Sequence, residues 1–563
     1  MKIKKIIAFV ILLNAYGLNA QIEIRQLIEN YNADYGALER KYSIQESEEY
    51  YSRMAEFMHG YHVQLENLNF ESLNHSNQID YIAFKSYIQK EAYFLELENK
   101  EFKKVSSVTD FAAPVYNFII ERRRGKQPDA QATAQMLYEA KVQLAVKQEQ
   151  LSNGKKFTHY LEAEKAEAVV KSLRTNLEEA INFYLFYDVD FTWWVEKPGN
   201  DLISDLKKYE KFLKDYYDKT LAKDDGSGII GKPIGREALI RSLQFEFIPY
   251  TPEQLITAAE KQFSWCEQEM LKASREMGHG DNWKAALEQV KDTYLQPGEW
   301  PQRIDFYAEE AIAFIESRDL ITIPDLAKET WRMKMLSAKQ QQTAPFFLGG
   351  ETVQIAYPVD TMSHEDKMMS MRGNNPHFGR AVVHHELIPG HHLQQFMNKR
   401  YQSHRRMFYN PFWTEGWALY WEMNLWDKDF PQTPEDKVAM LFWRMHRCAR
   451  IVFSLNYHLE KMTPQQCIDY LVDKVGHERA NATAEVRRSF TGGYGPLYQI
   501  AYMVGGMQFM QLRVDLVDSG LMTEKQFHDR VMQENNLPVE LVRAILIDQP
   551  LSKDFKTNWK FIK

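Results

Sequence analysis

The run His384-His385-Glu386-Leu387-Ile388-Pro389-Gly390-His391-His392 constrains this chain more than any other segment. It nearly matches H-E-x-x-H, in which two histidines four residues apart share a helix face and bind zinc. In that motif the Glu beside the first His acts as general base. Here the candidate pair, His385 and His391, is six residues apart. On a regular helix the two would be turned about 240° from each other, so a straight helix cannot make the site. Pro389 lacks an N–H, and its ring would clash with the His385 carbonyl. Gly390 has access to backbone angles closed to other residues. Together they permit a bulge that absorbs two residues and returns His391 to the side of His385. The expectation is a locally distorted helix, not a lost site.

His384 and His392 are competing ligands, and an exposed, His-rich helix end is the plain alternative. His385 and His392 share a helix face, but their Cα atoms would lie roughly 10 Å apart along the axis. The Glu must directly follow the first ligand, which favours His385 and then Glu386. A catalytic zinc site commonly takes a third protein ligand and leaves a position for water. Glu415 is the candidate, within the aromatic stretch Trp413-Thr414-Glu415-Gly416-Trp417-Ala418-Leu419-Tyr420-Trp421-Glu422. A carboxylate buried in such surroundings needs a partner or a metal. Glu422 falls near the same helix face and could hydrogen-bond a ligand His from behind. Pairing of either Glu with Arg444 or Arg447 is the structural alternative.

The segments HELIPGHHLQ and EGWALYWE, with a late Tyr-x-x-Gly, resemble the bacterial domain-of-unknown-function 885 family, itself similar to gluzincin-type helical zinc peptidases. The resemblance covers most of the chain and is strongest after about residue 345. It implies that His385, His391 and Glu415 bind Zn2+ and that Glu386 is the base. The run from Arg450 to His458 looks like the family's RLVVDxGLH, with Ser454 in place of its Asp and Asn456 in place of its Gly. The run from Pro496 to Gly505 resembles PGQALSYKIG, with Tyr498 where the family usually has Gln. Peptide hydrolysis also needs a donor for the developing oxyanion. Tyr502 is the first candidate and His458 the second. Arg513, suited to a bidentate grip on a carboxylate, and Tyr498 are the candidate substrate-binding residues.

Residues 1–20 read as a signal peptide, with Lys2, Lys4 and Lys5 before an apolar run from Ile6 to Leu13 that is too short to span a bilayer. A cut after Ala20 is expected, and no Cys follows the apolar run as in a lipid-anchored lipoprotein. Residues 21–345 form an N-terminal helical region and 346–563 the region bearing the zinc site. With 69 basic and 77 acidic residues dispersed along the chain, the net charge of −8 gives no footprint for nucleic acid. Cys266, Cys448 and Cys467 allow at most one internal disulfide and show no metal-ligand spacing.

Helical spacing dominates, as at Val170, Leu173, Leu177 and Ile181 and at Leu202, Leu206 and Tyr209. Thr251-Pro252-Glu253, Thr433-Pro434-Glu435 and Thr463-Pro464-Gln465 signal helix starts. The glycine-rich stretch from Asp224 to Gly235 lacks the end of a phosphate loop and reads as a connection. Glu351 to Asp360 alternates as a short strand stopped by Pro358. That strand could edge an active site and take an extended peptide by strand addition.

These readings combine into one expectation: a mainly α-helical, two-lobed metallopeptidase-like fold with a small β element beside the zinc helix. The protein would be exported to the periplasm or secreted, and would hydrolyse short peptides as a dipeptidase or carboxypeptidase, without stable membrane insertion. An inactive peptide-binding protein of the same fold and a hydrolase of a non-peptide amide are the two rivals.

Overall fold

The computed structural model describes residues 24–222, 224–296, 298–341, 346–491 and 493–563. The expected signal peptide lies outside them. The chain is mainly α-helical with a small two-stranded sheet. It divides into two compact units. Among the described residues, one comprises 27–68 and 88–222, and the other 24–26, 69–87 and those from 224 onward. Among the described residues, no helix is long and apolar enough to cross a membrane.

In the first unit, the helices Ala130–Ser152, Tyr160–Asn182 and Val189–Asp215 pack on one another. Their contact stripes follow the sequence periodicity. Val170, Leu173, Leu177 and Ile181 on one helix, and Leu202, Leu206 and Tyr209 on the next, are all buried. The arginine triplet at 122–124 closes the helix Ala113–Arg123.

The second unit carries the site. Its Thr-Pro signals are helix starts: Thr251 and Thr463 each make a reciprocal capping box, and the Thr433 side chain accepts from Asp436 N–H. The stretch from Asp224 to Ile234 is irregular chain leading into the helix Gly235–Phe245. All three cysteines are free and buried.

Six helices build the site: α1 (Pro376–Glu386), α2 (His391–Asn398), α3 (Pro411–Asp427), α4 (Pro434–His458), α5 (Arg479–Thr491) and α6 (Tyr498–Arg513). α3 is apolar almost all round and buried from Phe412 to Leu425 apart from Thr414, with Trp413, Trp417 and Trp421 fully inside. It packs most extensively on α6. The two backbones touch where Gly416 faces Gly505. A Cβ on Gly505 would sit 2.2 Å from the Phe412 carbonyl oxygen, and one on Gly416 would sit 2.5 Å from Gly505 Cα. This crossing brings Glu415 on α3 beside Tyr498 and Tyr502 on α6.

The sheet differs from expectation in extent. β1 (Arg332–Met335) pairs in parallel with β2 (Thr352–Ile355), the latter shorter than the alternating run. Val353 and Ile355 are buried on its inner face. The open edge expected for strand addition is taken at Gln354, which exchanges both backbone bonds with Leu348 (2.8 and 3.1 Å). The segment just before β2, from Phe346 to Gly349, lines the cavity instead.

Gly505→Ala tests the crossing. Helix propensity alone would favour Ala by about 1 kcal/mol, but here the added methyl meets a backbone carbonyl that cannot rotate away. The expected net result in urea denaturation is destabilisation by about 1–3 kcal/mol. A neutral or stabilising effect would contradict the close contact.

Candidate metal centre

α1 begins where the Asn375 side chain accepts from Phe378 N–H and Pro376 takes the first helical position. It ends at Glu386. The chain then turns through Leu387–Gly390, with Ile388–Pro389 cis, and restarts as α2 at His391. The expected bulge is therefore a full break between two helices. Its backbone groups are well satisfied. Gly390 N–H donates to the His384 carbonyl at 2.9 Å, and His392 and Leu393 N–H donate to Leu387 O at 3.0 and 3.2 Å. The Pro389 carbonyl accepts from Trp417 Nε1 at 2.9 Å. Gly390 is required for room rather than for a positive φ: a Cβ there would lie 1.8 Å from the His385 carbonyl oxygen.

The break sets the His385 and His391 rings perpendicular, centroids 4.8 Å apart. His384 points elsewhere, edge-on to Phe430, and burial pushes it down to about 3. His392 donates from Nε2 to the Ala327 carbonyl at 2.7 Å. Neither joins the pair.

Both ring orientations are fixed from behind. Gln394 gives its amide N–H to the Trp413 carbonyl (3.3 Å), so its Oε1 is the acceptor for His391 Nδ1–H at 3.1 Å. Glu422 Oε1 lies 2.6 Å from His385 Nδ1, off the axis of a regular hydrogen bond, and also accepts from Arg447 Nη2 at 3.3 Å. Glu422 thus stands beside both His385 and Arg447. Each imidazole turns Nε2 inward.

Glu415 Oε2 faces those nitrogens, 3.6 Å from His385 and 3.2 Å from His391. It is buried, and among the described residues no regular hydrogen bond reaches it, while Oε1 accepts from Tyr498 OH at 2.5 Å. Tyr498, expected to bind substrate, thus holds a carboxylate of the site. Burial alone would lower His385, but Glu415 and Glu422 hold it up at about 9. Burial would raise Glu415 and Glu422. The histidines pull Glu415 well below the usual range, and Arg447 with His385 holds Glu422 at about 2.

His385, Glu386 and His391 form a group that could hold a metal ion, their nearest ligand atoms all within 4.8 Å of one another. Glu415 Oε2, close to both imidazoles, is a second carboxylate at the same place. A buried carboxylate oxygen between two inward-facing imidazole nitrogens fits a bound cation. Glu386 projects into the cavity against Gly349, where a Cβ would sit 2.2 Å from Glu386 Oε2. Gly350 N–H donates to the Glu386 carbonyl at 3.1 Å. Burial raises the Glu386 carboxyl despite the neighbouring histidines.

The cavity measures about 280 Å³, and aromatic side chains including Phe346, Phe378, Trp443 and Tyr502 line it. Tyr502 stacks 6.2 Å from His385. Two expected residues do not reach it. His458 is buried against Tyr457 and Phe490 at the far end of α4, where burial holds it at about 4. Arg513 ends α6 near Asp518 and Glu524, at 3.5 Å from each. Sequence reasoning missed Gln394, Gly349, Arg450 and Arg488. Gln394, three residues after His391 on the same helix, and Arg450, which opens the motif-like run to His458, carried a signal.

The fold and site together define an α-helical protein with a buried His-Glu-His cluster. Residues 34–546 match the family described as "Bacterial protein of unknown function (DUF885)", and the chain belongs to that family. No curated protein matches it. Two solved structures are similar. "The structure of a putative lipoprotein of unknown function from Shewanella oneidensis" matches with a TM-score of 0.69 at 15% identity, over 93% of this chain and 99% of that one. "The crystal structure of the putative lipoprotein from Colwellia psychrerythraea" matches at 0.60 and 13% identity, over 94% and 99%. At these identities the likeness is one of fold.

Gly390→Ala should weaken metal binding by about 10–100-fold in chelator competition, because His391 loses its place beside His385. Unchanged affinity would contradict the role of the break.

Proposed function

We propose that the protein is an exported zinc metallopeptidase acting on short peptides. The observation carrying this reading is the convergence of His385 Nε2 and His391 Nε2 on Glu415 Oε2, at 3.6 and 3.2 Å, beside a cavity into which Glu386 projects. Two imidazoles and one carboxylate form a donor set common to catalytic zinc. When bound there, zinc would polarise a peptide carbonyl and acidify a water. Glu386 takes the proton of the attacking water and delivers it to the leaving amine, forming a carboxyl group and a free amine. Tyr502 donates to the developing oxyanion. Tyr498, Gln394 and Glu422 hold Glu415, His391 and His385 in register. Phe346 to Gly349 offer the substrate backbone an extended neighbour.

Export is supported by the basic and apolar start of the sequence and by the two similar structures, both described as lipoproteins. Ser454, which stands where the family pattern has Asp, donates to Arg450 O within α4 at 2.7 Å. That position does not line the cavity.

A peptide library digested by zinc-loaded protein and read by mass spectrometry tests the proposal. Glu386→Gln should keep its metal and lose turnover by about 10²–10⁴-fold. Turnover unchanged in that variant would remove Glu386 as the base. Metal-loaded protein that binds peptides but cuts none would favour the peptide-binding alternative, and cleavage confined to other amides would favour the second rival.

A further inference from the structure

The cavity wall beyond Tyr502 is cationic. Arg447 and Arg450, three residues apart on α4, and Arg488 on α5 all line it. Their carboxylate partners are too few. Arg450 Nε donates to Glu485 Oε1 at 2.7 Å, and Arg488 Nε lies 2.8 Å from Glu485 Oε2, so one carboxylate serves two guanidiniums. Among the described residues, the carboxylate paired with Arg447 is Glu422, which His385 also engages. His446 and His477, bonded to each other at 2.8 Å behind Glu485, are kept neutral by burial and add no charge.

Arg450 is 2% exposed, yet among the described residues its Nη1 has no hydrogen-bond partner. A buried donor left unsatisfied is costly, and a guanidinium fork is best satisfied by a carboxylate. Arg450 Cζ sits 4.3 Å from the Tyr502 ring centroid, and the His385 ring is stacked 6.2 Å from the same centroid. One aromatic ring thus relates the cationic wall to the candidate metal centre. An extended peptide advances about 3.3–3.6 Å per residue, so a carboxylate held at Arg450 belongs within the last few residues beyond the bond cut.

We propose that Arg450 and Arg488 bind a carboxylate of the peptide substrate, with Arg447 adding charge at the side nearer His385. This rests on the peptidase reading and narrows it. With the peptide's own C-terminal carboxylate as the ligand, the enzyme removes one or a few residues from that end. With an acidic side chain as the ligand, it cuts next to Asp or Glu. The expected substrate-binding role of Arg513 passes to these cavity arginines.

Calorimetry on zinc-loaded Glu386→Gln protein separates the possibilities without turnover. The probes are trialanine, its C-terminal amide, and the amide of Ala-Ala-Asp. Trialanine should bind at least about tenfold more tightly than its amide. Weak binding of Ala-Ala-Asp amide then identifies the terminal carboxylate, whereas recovered affinity identifies an acidic side chain as a second acceptable source. Adding Arg488→Gln should cut the ratio of acid to amide affinity to near one. Arg450→Lys, which keeps the charge but not the fork, should reduce it. Equal binding of all three peptides, or an acid preference untouched in both arginine variants, would overturn the carboxylate site and leave the peptidase reading standing. Failure of every peptide to bind would overturn that reading and this one with it.

Discussion

Between α1 and α2, Gly390 lies against the carbonyl oxygen of His385, at a separation where a methyl group would be 1.8 Å away. The rest of the centre depends on this approach. It lets the second helix restart within four residues of the first, with His391 turned back onto His385. The same turn presents the Pro389 carbonyl to Trp417 on α3. The helix break is thereby tied by a buried hydrogen bond to the helix that supplies Glu415 and Glu422.

A second glycine contact does for α3 what Gly390 does for α1 and α2. Gly416 and Gly505 let α3 and α6 cross backbone to backbone. Only at that separation can Tyr498 OH reach Glu415 Oε1 while Tyr502 stacks near His385. The centre is thus held by contacts that larger residues would prevent, and backed by groups already occupied on their far sides. Gln394 is held by Trp413, Glu422 by Arg447 and Glu415 by Tyr498. Such backing limits reorganisation when charge changes at the site.

Much of the helical architecture was legible because Thr-Pro starts and apolar spacing are local signals, and the structure places caps and buried stripes at those positions. The histidine run was legible as chemistry, but Pro389-Gly390 pointed to a bulge within one helix where the structure has a break. The backbone bonds that decide for a break involve Leu387 and Trp417, which no spacing rule connects. Tyr498 was read as a substrate contact because its partner, Glu415, lies on another helix. Arg450 and Arg488 were invisible as a pair for the same reason: their shared partner Glu485 and their common cavity exist only after α4 and α5 pack. Arg513 drew attention by residue type alone, yet α6 carries it away from the cavity. The strand before the site was legible by alternation, but its pairing with Leu348 was not, since a chain folding back beside β2 leaves no periodic trace.

The most direct measurement is the metal content of protein dialysed against chelator, reloaded with zinc and desalted, for the native chain and for His391→Ala. About one zinc per native chain is expected, in a three-ligand site of the kind two histidines and a glutamate make, with most of it lost in the variant. Less than about a tenth of an equivalent in the native protein, or equal zinc in both, would contradict a metal held between His385, His391 and Glu415.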